Sequence, residues 1–305
     1  MDTLESLHRK IDGASELKSV VRTMKALAAS NIGQYETAVS SLDDYYYTVA
    51  LGINAYFKEE KINEIHHIEK NKIDNEKIIC AIVFGSDQGL VGQFNDSLAN
   101  FVSQSLNSLS CKKEIWSVGE RVQLLLLDSG FIATKTFSVP NSVNAITSLI
   151  SQILIKSEEN YENGKITEFY IFHNQQKLGS SYIPISQQLL PLNNSWRQEL
   201  AEHQWPSKKI PQVIGETELT LKALVHEYLF VSLFKACAES LASENASRLN
   251  AMQRAEKNIE ELLDDLNHKY HRLRQSSIDE ELFDVVSGFE ALKDIINYND
   301  KTKLV

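Results

Sequence analysis

The last third of the chain repeats apolar residues at steps of three and four positions. After Pro211 the sequence contains no proline and only two glycines, Gly215 and Gly288, so nothing there excludes a long helix. The stripe shifts once near Gln275–Ile278. Its members are Leu249, Met252, Ile259, Leu263, Leu266, Tyr270, Leu273, Leu282, Val285, Phe289, Leu292 and Ile296. This spacing is typical of a coiled-coil seam with one irregularity, and it predicts a helix within 212–305.

The first 57 residues show the same three- and four-residue spacing of apolar positions. Their stripe consists of Leu4, Leu7, Ile11, Ala14, Leu17, Val21, Met24, Ala28, Ile32 and Tyr35. Because both stripes are narrow, each helix must bury its apolar face on a partner, and the other terminal helix is the nearest candidate. The pattern therefore predicts an antiparallel coiled coil of the N- and C-terminal helices.

Between the two stripes the period changes to that of an α/β domain. Short β-branched or aromatic runs predict strands at Lys77–Phe84, Ile115–Val118, Phe131–Phe137 and Phe169–His173. Amphipathic stretches separate them at Asn95–Leu109, Gly119–Leu127 and Ser142–Lys156. This alternation favours a Rossmann-like domain with a mainly parallel sheet over 77–211, inserted between the helices. Residues 58–76 are a charged connector, and Asn193–Gln212, with three of the five prolines, is predicted to be an ordered loop.

Charge and cysteine content narrow the function classes. The 305 residues carry a formal charge of −10, which argues against a general nucleic-acid binder because phosphate contacts rely on Lys and Arg. Three scattered cysteines form no C-x-x-C pair and favour a reducing compartment. We find no membrane-spanning stretch, no secretory signal and no transit peptide.

Few residues suggest chemistry of their own. The turn Gly85–Gly92 follows the first strand, where a nucleotide loop would lie, but its glycine spacing matches neither the dinucleotide fingerprint nor a P-loop. His268 and His271 lie one helical turn apart, after Glu261 and Asp264, but such residues on a charged helix usually face solvent. We therefore predict no catalytic residues, no cofactor and no metal, while a small-molecule site at the turn remains an alternative.

Several segments resemble the central-stalk gamma subunit of F-type ATP synthases. Leu233–Met252 (LFKACAESLASENASRLNAM) is similar to that family's C-terminal signature. Tyr270–Gln275 (YHRLRQ) and Glu281–Leu292 (ELFDVVSGFEAL) continue the match. Ser86–Asn95 (SDQGLVGQFN), Gln188–Leu192 (QLLPL) and Thr23–Ser30 (TMKALAAS) extend it to both other regions. The resemblance therefore covers essentially the whole chain.

The resemblance implies a rotor without an active site of its own, which couples ion translocation to ATP synthesis or hydrolysis at the β subunits. Its implied partners are the α and β subunits of the catalytic hexamer, the epsilon subunit and the membrane c-ring. Contacts with β catch loops map onto Met24, Lys25, Arg248 and Gln275. Head contacts on the epsilon and ring side map onto Asp87, Gly89, Leu90, Gly92 and Asn95. The implied location is peripheral, on the cytoplasmic side of the plasma membrane of a bacterium or archaeon.

The chain departs from the family pattern at identifiable positions. Asn31 replaces a usual lysine, Gln88 a usual arginine and His271 a usual asparagine, while residues 1–57 carry five basic against seven acidic side chains. Lys293–Val305 continues beyond the usual end of the family. A non-rotary coiled-coil adaptor or regulatory α/β protein that kept this shape is the alternative function.

Overall fold

A computed structural model describes residues 3–59, 77–177, 182–192, 209 and 216–302. Two helices account for both ends of the chain: α1 spans Leu4–Glu59 and α5 spans Thr217–Thr302. The chain forms two compact units. One consists of Met1–Lys25 with Met252–Val305, and the other of Ala26–Ala251.

In the first unit the two helices run antiparallel. Three side-chain contacts define the pairing: His8 with Tyr270, Lys18 with Glu260 and Arg22 with Glu256. In each pair the residue numbers add up to 278. Buried residues recur every seven positions, as Leu7, Ala14 and Val21 on α1 and as Met252, Ile259 and Leu266 on α5. The coiled coil is therefore confirmed, because a seven-residue repeat is the spacing that keeps two helices in contact.

One member of the predicted N-terminal stripe is wrong. Leu17 is 52% exposed, whereas the neighbouring Lys18 lies partly covered and pairs with Glu260 at 2.9 Å. The seven-residue repeat places Lys18, not Leu17, beside the seam. A lysine is tolerated there because its aliphatic stem covers apolar surface while its amine reaches a carboxylate.

The predicted seam is also wrong from Leu282 to Phe289, because α1 does not cover it; the side chains of Leu292 and Ile296 lie outside the described residues. The pairing places Leu4, the first residue of α1, opposite Arg274. Helix α5 continues through Gln275–Ile278 without interruption, and no residue of α1 lies beyond that point to cover it. Leu282, Val285 and Phe289, predicted to be buried on the first helix, are accordingly exposed.

The second unit contains a five-stranded sheet. Its strands are β1 (Ile78–Phe84), β2 (Lys112–Val118), β3 (Ala133–Phe137), β4 (Glu168–Gln176) and β5 (Tyr182–Leu190). The order in the sheet is β3-β2-β1-β4-β5. The first four strands are mutually parallel and β5 is antiparallel to β4. The order reverses between β1 and β4, since β2 and β3 continue on one side of β1 and β4 joins on the other.

Helices cover both faces of this sheet. The connecting helices are α2 (Phe94–Asn107), α3 (Glu120–Asp128) and α4 (Val143–Glu162). One core cluster packs α2 and α3 against alternate side chains of β1, including Ala81 and Val83. The other packs α4, the second half of α1 and the start of α5 against the opposite side chains, including Ile82 and Trp116. This explains the unbroken apolar run of β1, because a strand covered on both faces has no polar side.

The four predicted strands and three connecting helices are confirmed within a few residues, and the α/β fold class with them. Strand β5 was not predicted. Its sequence, YIPISQQLL, contains a proline and two glutamines, which suits an edge strand but gives a weak strand signal. The predicted loop Asn193–Gln212 and the connector 58–76 fall almost wholly outside the described residues, although α1 itself extends to Glu59. The boundaries 1–57, 58–76, 77–211 and 212–305 stay a prediction.

Candidate functional site

Helix α5 crosses the sheet where ligands bind in other open α/β folds. Ser240 Oγ donates a hydrogen bond to the carbonyl of Phe84, the last residue of β1, at 2.8 Å. Ser243 Oγ donates to the carbonyl of Asn174 in β4 at 3.0 Å. These are the two strands between which the strand order reverses, and ligands of doubly wound sheets occupy this crevice at the carboxyl ends of the strands. Here the chain's own helix fills it.

A third serine extends the same contact. Ser247 Oγ donates to the carbonyl of Val91 in the turn after β1, at 2.5 Å. Ser240, Ser243 and Ser247 share one face of α5, since they are three and four positions apart, and all three are buried. The small polar residues of the segment Leu233–Met252 therefore serve as hydrogen-bond donors to the edge of the sheet.

The turn between β1 and α2 is fixed by its own polar side chains. Asn95 Oδ1 accepts a bond from the Ser86 amide at 3.0 Å, and Asn95 Nδ2 donates to Ser86 Oγ at 2.8 Å. Asp87 accepts two backbone bonds of 3.0 Å, from the amides of Glu120 and Val139. The Asp87 carboxylate thereby joins the turn to the start of α3 and to the segment after β3.

These contacts divide the five head residues predicted to contact partners into two that fix the turn and three that lie at the surface. Asp87 and Asn95 hold the turn from inside, because each bonds within the chain and Asn95 is buried. Gly89, Leu90 and Gly92 are at the surface. Leu90 is 64% exposed and has φ of +61°, an unusual conformation for a residue with a branched side chain. The turn thus presents an apolar side chain to solvent.

Two glycines allow the elements around the turn to approach closely. A Cβ on Gly85 would lie 2.3 Å from the Cβ of Val122, and one on Gly119 would lie 2.6 Å from the Ser86 carbonyl oxygen. Gly119 also has φ of +112°, which residues with a side chain rarely adopt. Gly85 and Gly119 therefore serve chain packing rather than the binding of a phosphate, whereas a Cβ on Gly89 would meet no atom within 4 Å.

Arg248, a predicted β-contact residue, is engaged within the chain. Its Nη2 lies 2.5 Å from Oε1 of Glu244, one helical turn earlier on α5. The Arg248 side chain is 14% exposed and that of Glu244 is 7% exposed. Burial raises the pKa of the Glu244 carboxyl, Arg248 opposes this, and the negative charge of Asp87 adds to it.

The other three predicted β-contact residues belong to the first unit. Lys25 Nζ and Arg22 Nε both donate to the carboxylate of Glu256, the charged residue that interrupts the apolar seam of α5. These two bonds lower the Glu256 pKa to about 2, with the larger effect from Lys25. Met24 is half-buried and Gln275 is exposed. Lys25 is therefore used for helix pairing, while Gln275 faces solvent.

Other candidate sites offer little chemistry. A cavity of about 210 Å³ lies between α1, β4 and α5, and its lining includes Glu36, Asp43 and Glu239. Three carboxylates in its wall oppose the binding of a phosphate. Within the described part of the chain, no three His, Cys, Asp or Glu side chains meet as a metal site would require, and His268 and His271 lie exposed on α5.

None of the described helices is apolar over a length that would cross a bilayer.

Sequence reasoning missed three groups of residues. They are the serines of α5, the Glu244 partner of Arg248, and a pair in which Nε2 of the buried His173 lies 2.8 Å from Oε2 of Glu239. The sequence did contain a signal for the serines of α5, since serines at positions 240, 243 and 247 lie on one helical face and indicate a buried polar contact. The sequence contained no such signal for Glu244 and Glu239, because acidic residues on a helix usually face water.

Comparison with known proteins places the chain in a family. A family model described as ATP synthase matches residues 3–292. The ATP synthase gamma chain of Bdellovibrio bacteriovorus is 25% identical over 299 aligned residues, which cover 96% of this chain and 100% of that protein. The ATP synthase gamma chain of Wolbachia pipientis is 27% identical over 311 aligned residues, with 96% and 100% coverage.

Solved structures share the fold at lower identity. A rotor subunit of the Euglena gracilis mitochondrial ATP synthase superposes with a TM-score of 0.60 at 17% identity, over 90% of this chain and 98% of that one. A chain of the Tetrahymena thermophila mitochondrial ATP synthase central stalk and c-ring gives a TM-score of 0.54 at 21% identity, over 77% and 99%. The family match ends at Leu292, where the C-terminal extension begins. Since the match spans nearly the whole sequence, the chain belongs to the ATP synthase gamma-chain family.

Proposed function

We propose that this chain is the central rotor of a membrane F-type ATP synthase. It couples ion translocation through the c-ring to ATP synthesis or hydrolysis at the β subunits. Family membership, the gamma-chain relatives and the fold shared with central-stalk subunits support this role. The non-rotary adaptor is not favoured, since both terminal helices and the inserted domain match the family throughout.

The uncovered end of α5 carries the proposal. Six large apolar side chains between positions 278 and 289 are 48–72% exposed: Ile278, Leu282, Phe283, Val285, Val286 and Phe289. An apolar surface of this kind marks an interaction site. At about 100° per residue they lie within an arc of about 160° on one side of the helix, so the partner must offer an apolar surface along that side. The ring of α and β subunits is such a partner.

The chain itself does not catalyse the reaction. Helix α5 fills the crevice at the carboxyl ends of β1 and β4, where a nucleotide would otherwise bind. Gly85, the first residue of the turn, packs against the chain's own Val122. Both observations oppose the small-molecule enzyme and support catalysis by the β subunits of the complex.

We assign two kinds of contact to this rotor, one with β and one with the partners of the head. Gln275, with the exposed Arg272 and Arg274 beside it, meets a catch loop of β, as do Met24, Lys25 and Arg248. Neither Arg272 nor Arg274 contacts a carboxylate among the described residues, so both guanidinium groups are available to a partner. On the head, Leu90 with Gly89 and Gly92 faces epsilon or the c-ring, while Asp87 and Asn95 fix the shape of that turn.

The chain works as a peripheral subunit on the cytoplasmic side of the plasma membrane. It reaches the membrane through the c-ring and epsilon, which are the partners of its head. The bacterial gamma-chain relatives support this location.

The decisive experiment replaces the exposed aromatics of α5. The chain is co-expressed with α, β and epsilon, and its retention on the α–β complex and ATP-driven ion pumping by membrane vesicles are measured. Burial of one Phe is worth about 1.5–3 kcal/mol, so the double variant Phe283→Ser/Phe289→Ser should bind the complex at least about 3 kcal/mol more weakly and pump correspondingly less.

Leu262→Ser provides the matched control. Leu262 is also exposed on α5, but it lies where α1 runs alongside, so retention and pumping should be unchanged. A vesicle preparation that pumps equally well without this chain would refute the rotor. A chain that purifies without β, whatever its tip sequence, would support the adaptor instead.

A further inference from the structure

The ion pair of Glu244 and Arg248 is unusual for its burial. Pairs of this kind at four-residue spacing normally lie on exposed helix faces, as Lys269 with Asp265 does here. The Glu244 carboxylate instead lies almost wholly inside the second unit, 2.5 Å from the guanidinium. Tyr35 of α1, Asp87 of the head turn and Cys237 of α5 also lie close enough to interact electrostatically with it or with one another.

A buried carboxylate is a poor choice for a purely structural role. Removing a charged group from water is unfavourable, and the neighbouring Asp87 makes it more so. A glutamine would have nearly the same shape and could be buried with less desolvation. What a glutamine lacks is the charge that holds a guanidinium in one orientation. The carboxylate at position 244 therefore acts on Arg248 rather than on packing.

Arg248 retains unused hydrogen-bond donors. A guanidinium has five N–H groups in a planar fork, and Glu244 engages Nη2. Among the described residues no other group accepts a bond from Arg248. The side chain also keeps a fraction of its surface in contact with solvent. A carboxylate from outside the chain can therefore reach the guanidinium while Glu244 still holds it.

We infer that Glu244 is a positioning residue, whose carboxylate orients the Arg248 guanidinium so that its free N–H groups meet a carboxylate of the β subunit. This inference rests on the proposed function, in which Arg248 contacts β. Without Glu244, the guanidinium loses its partner within the chain and with it the orientation in which it bridges to the ring.

A double-mutant cycle tests the inference in the assembled complex. The variants are Glu244→Gln, Arg248→Gln and the two together, and the measurement is ions pumped per ATP hydrolysed in membrane vesicles, normalised to the amount of chain retained. We expect Glu244→Gln to lower this ratio by about threefold or more, and to have no further effect once Arg248 is Gln. Glu239→Gln, which removes another carboxylate of α5, one paired with the buried His173, should leave the ratio unchanged.

The outcomes distinguish a failure of the Arg248–β contact from a failure of the positioning role of Glu244. If Arg248→Gln leaves the ratio unchanged, Arg248 does not contact β and the contact assignment fails. If Arg248→Gln lowers the ratio but Glu244→Gln lowers it equally in both backgrounds, Glu244 has a structural role only and the inference is overturned. Should Glu244→Gln fail to assemble, Glu244→Asp keeps the charge and must likewise lose its effect when Arg248 is Gln.

Discussion

Replacing Gly119 with alanine tests how the head turn is held. The new Cβ would lie 2.6 Å from the carbonyl oxygen of Ser86, 2.7 Å from its carbonyl carbon and 2.9 Å from its nitrogen. These are backbone atoms and cannot rotate away, so the turn must shift. The shift breaks the bond from the Arg121 amide to Ser86 and the bond from the Glu120 amide to Asp87.

The magnitude follows from two contributions. A residue with a side chain held at φ of +112° costs about 1–3 kcal/mol. Each of the two lost hydrogen bonds contributes about 1 kcal/mol. Gly119→Ala should therefore destabilise the sheet domain by about 4 kcal/mol. Gly130→Ala is the matched control, since Gly130 has φ of +86° and no atom within 4 Å of a new Cβ, so only the backbone contribution of about 2 kcal/mol applies.

Native-state hydrogen exchange of the full chain is the appropriate assay. The amides of β1 and β2 report the opening of the sheet itself, whereas circular dichroism is dominated by the two long helices. We expect the opening free energy of these amides to fall about 2 kcal/mol further in Gly119→Ala than in Gly130→Ala. Equal losses in the two variants would refute the argument that the close approach of Ser86 and Gly119 fixes the turn.

Two further predictions concern helix pairing and the sheet edge. The pKa of Glu256 is lowered in the folded chain to about 2, so its bonds to Lys25 and Arg22 stabilise the chain above the unfolded pKa near 4.5 and are lost as pH falls toward 2. The difference in thermal midpoint between the wild type and Glu256→Gln should therefore shrink as the pH is lowered from 6 to about 2; a constant difference would contradict this pairing. Ser243→Ala leaves the buried carbonyl of Asn174 without its donor and should cost about 1–3 kcal/mol by hydrogen exchange of β4, whereas Ser103→Ala, which removes a bond within its own helix, should cost less than 1 kcal/mol. Equal losses in the two serine variants would argue against the sheet-edge contact.

Local pattern was sufficient to predict the elements. The apolar stripes gave both terminal helices, and the β-branched runs gave the four parallel strands, because burial on one face or on two leaves a periodic trace. Antiparallel pairing also followed, since two narrow seams at opposite ends of the chain have few alternatives. Strand β5 was not predicted because an edge strand with polar side chains shows only a weak strand pattern in the sequence.

Three-dimensional packing decided which of the predicted contact residues are already engaged within the chain. Four of them cannot be told from exposed polar residues by sequence, yet each forms a hydrogen bond within the chain: Arg248, Lys25, Asp87 and Asn95. The apolar residues from Ile278 to Phe289 look in sequence like a buried seam but are exposed, because the length of α1 and its register against α5 determine where α1 stops covering α5. Periodicity fixes which face of a helix is apolar. Whether that face is covered depends on atoms distant in sequence, so only the folded chain could answer it.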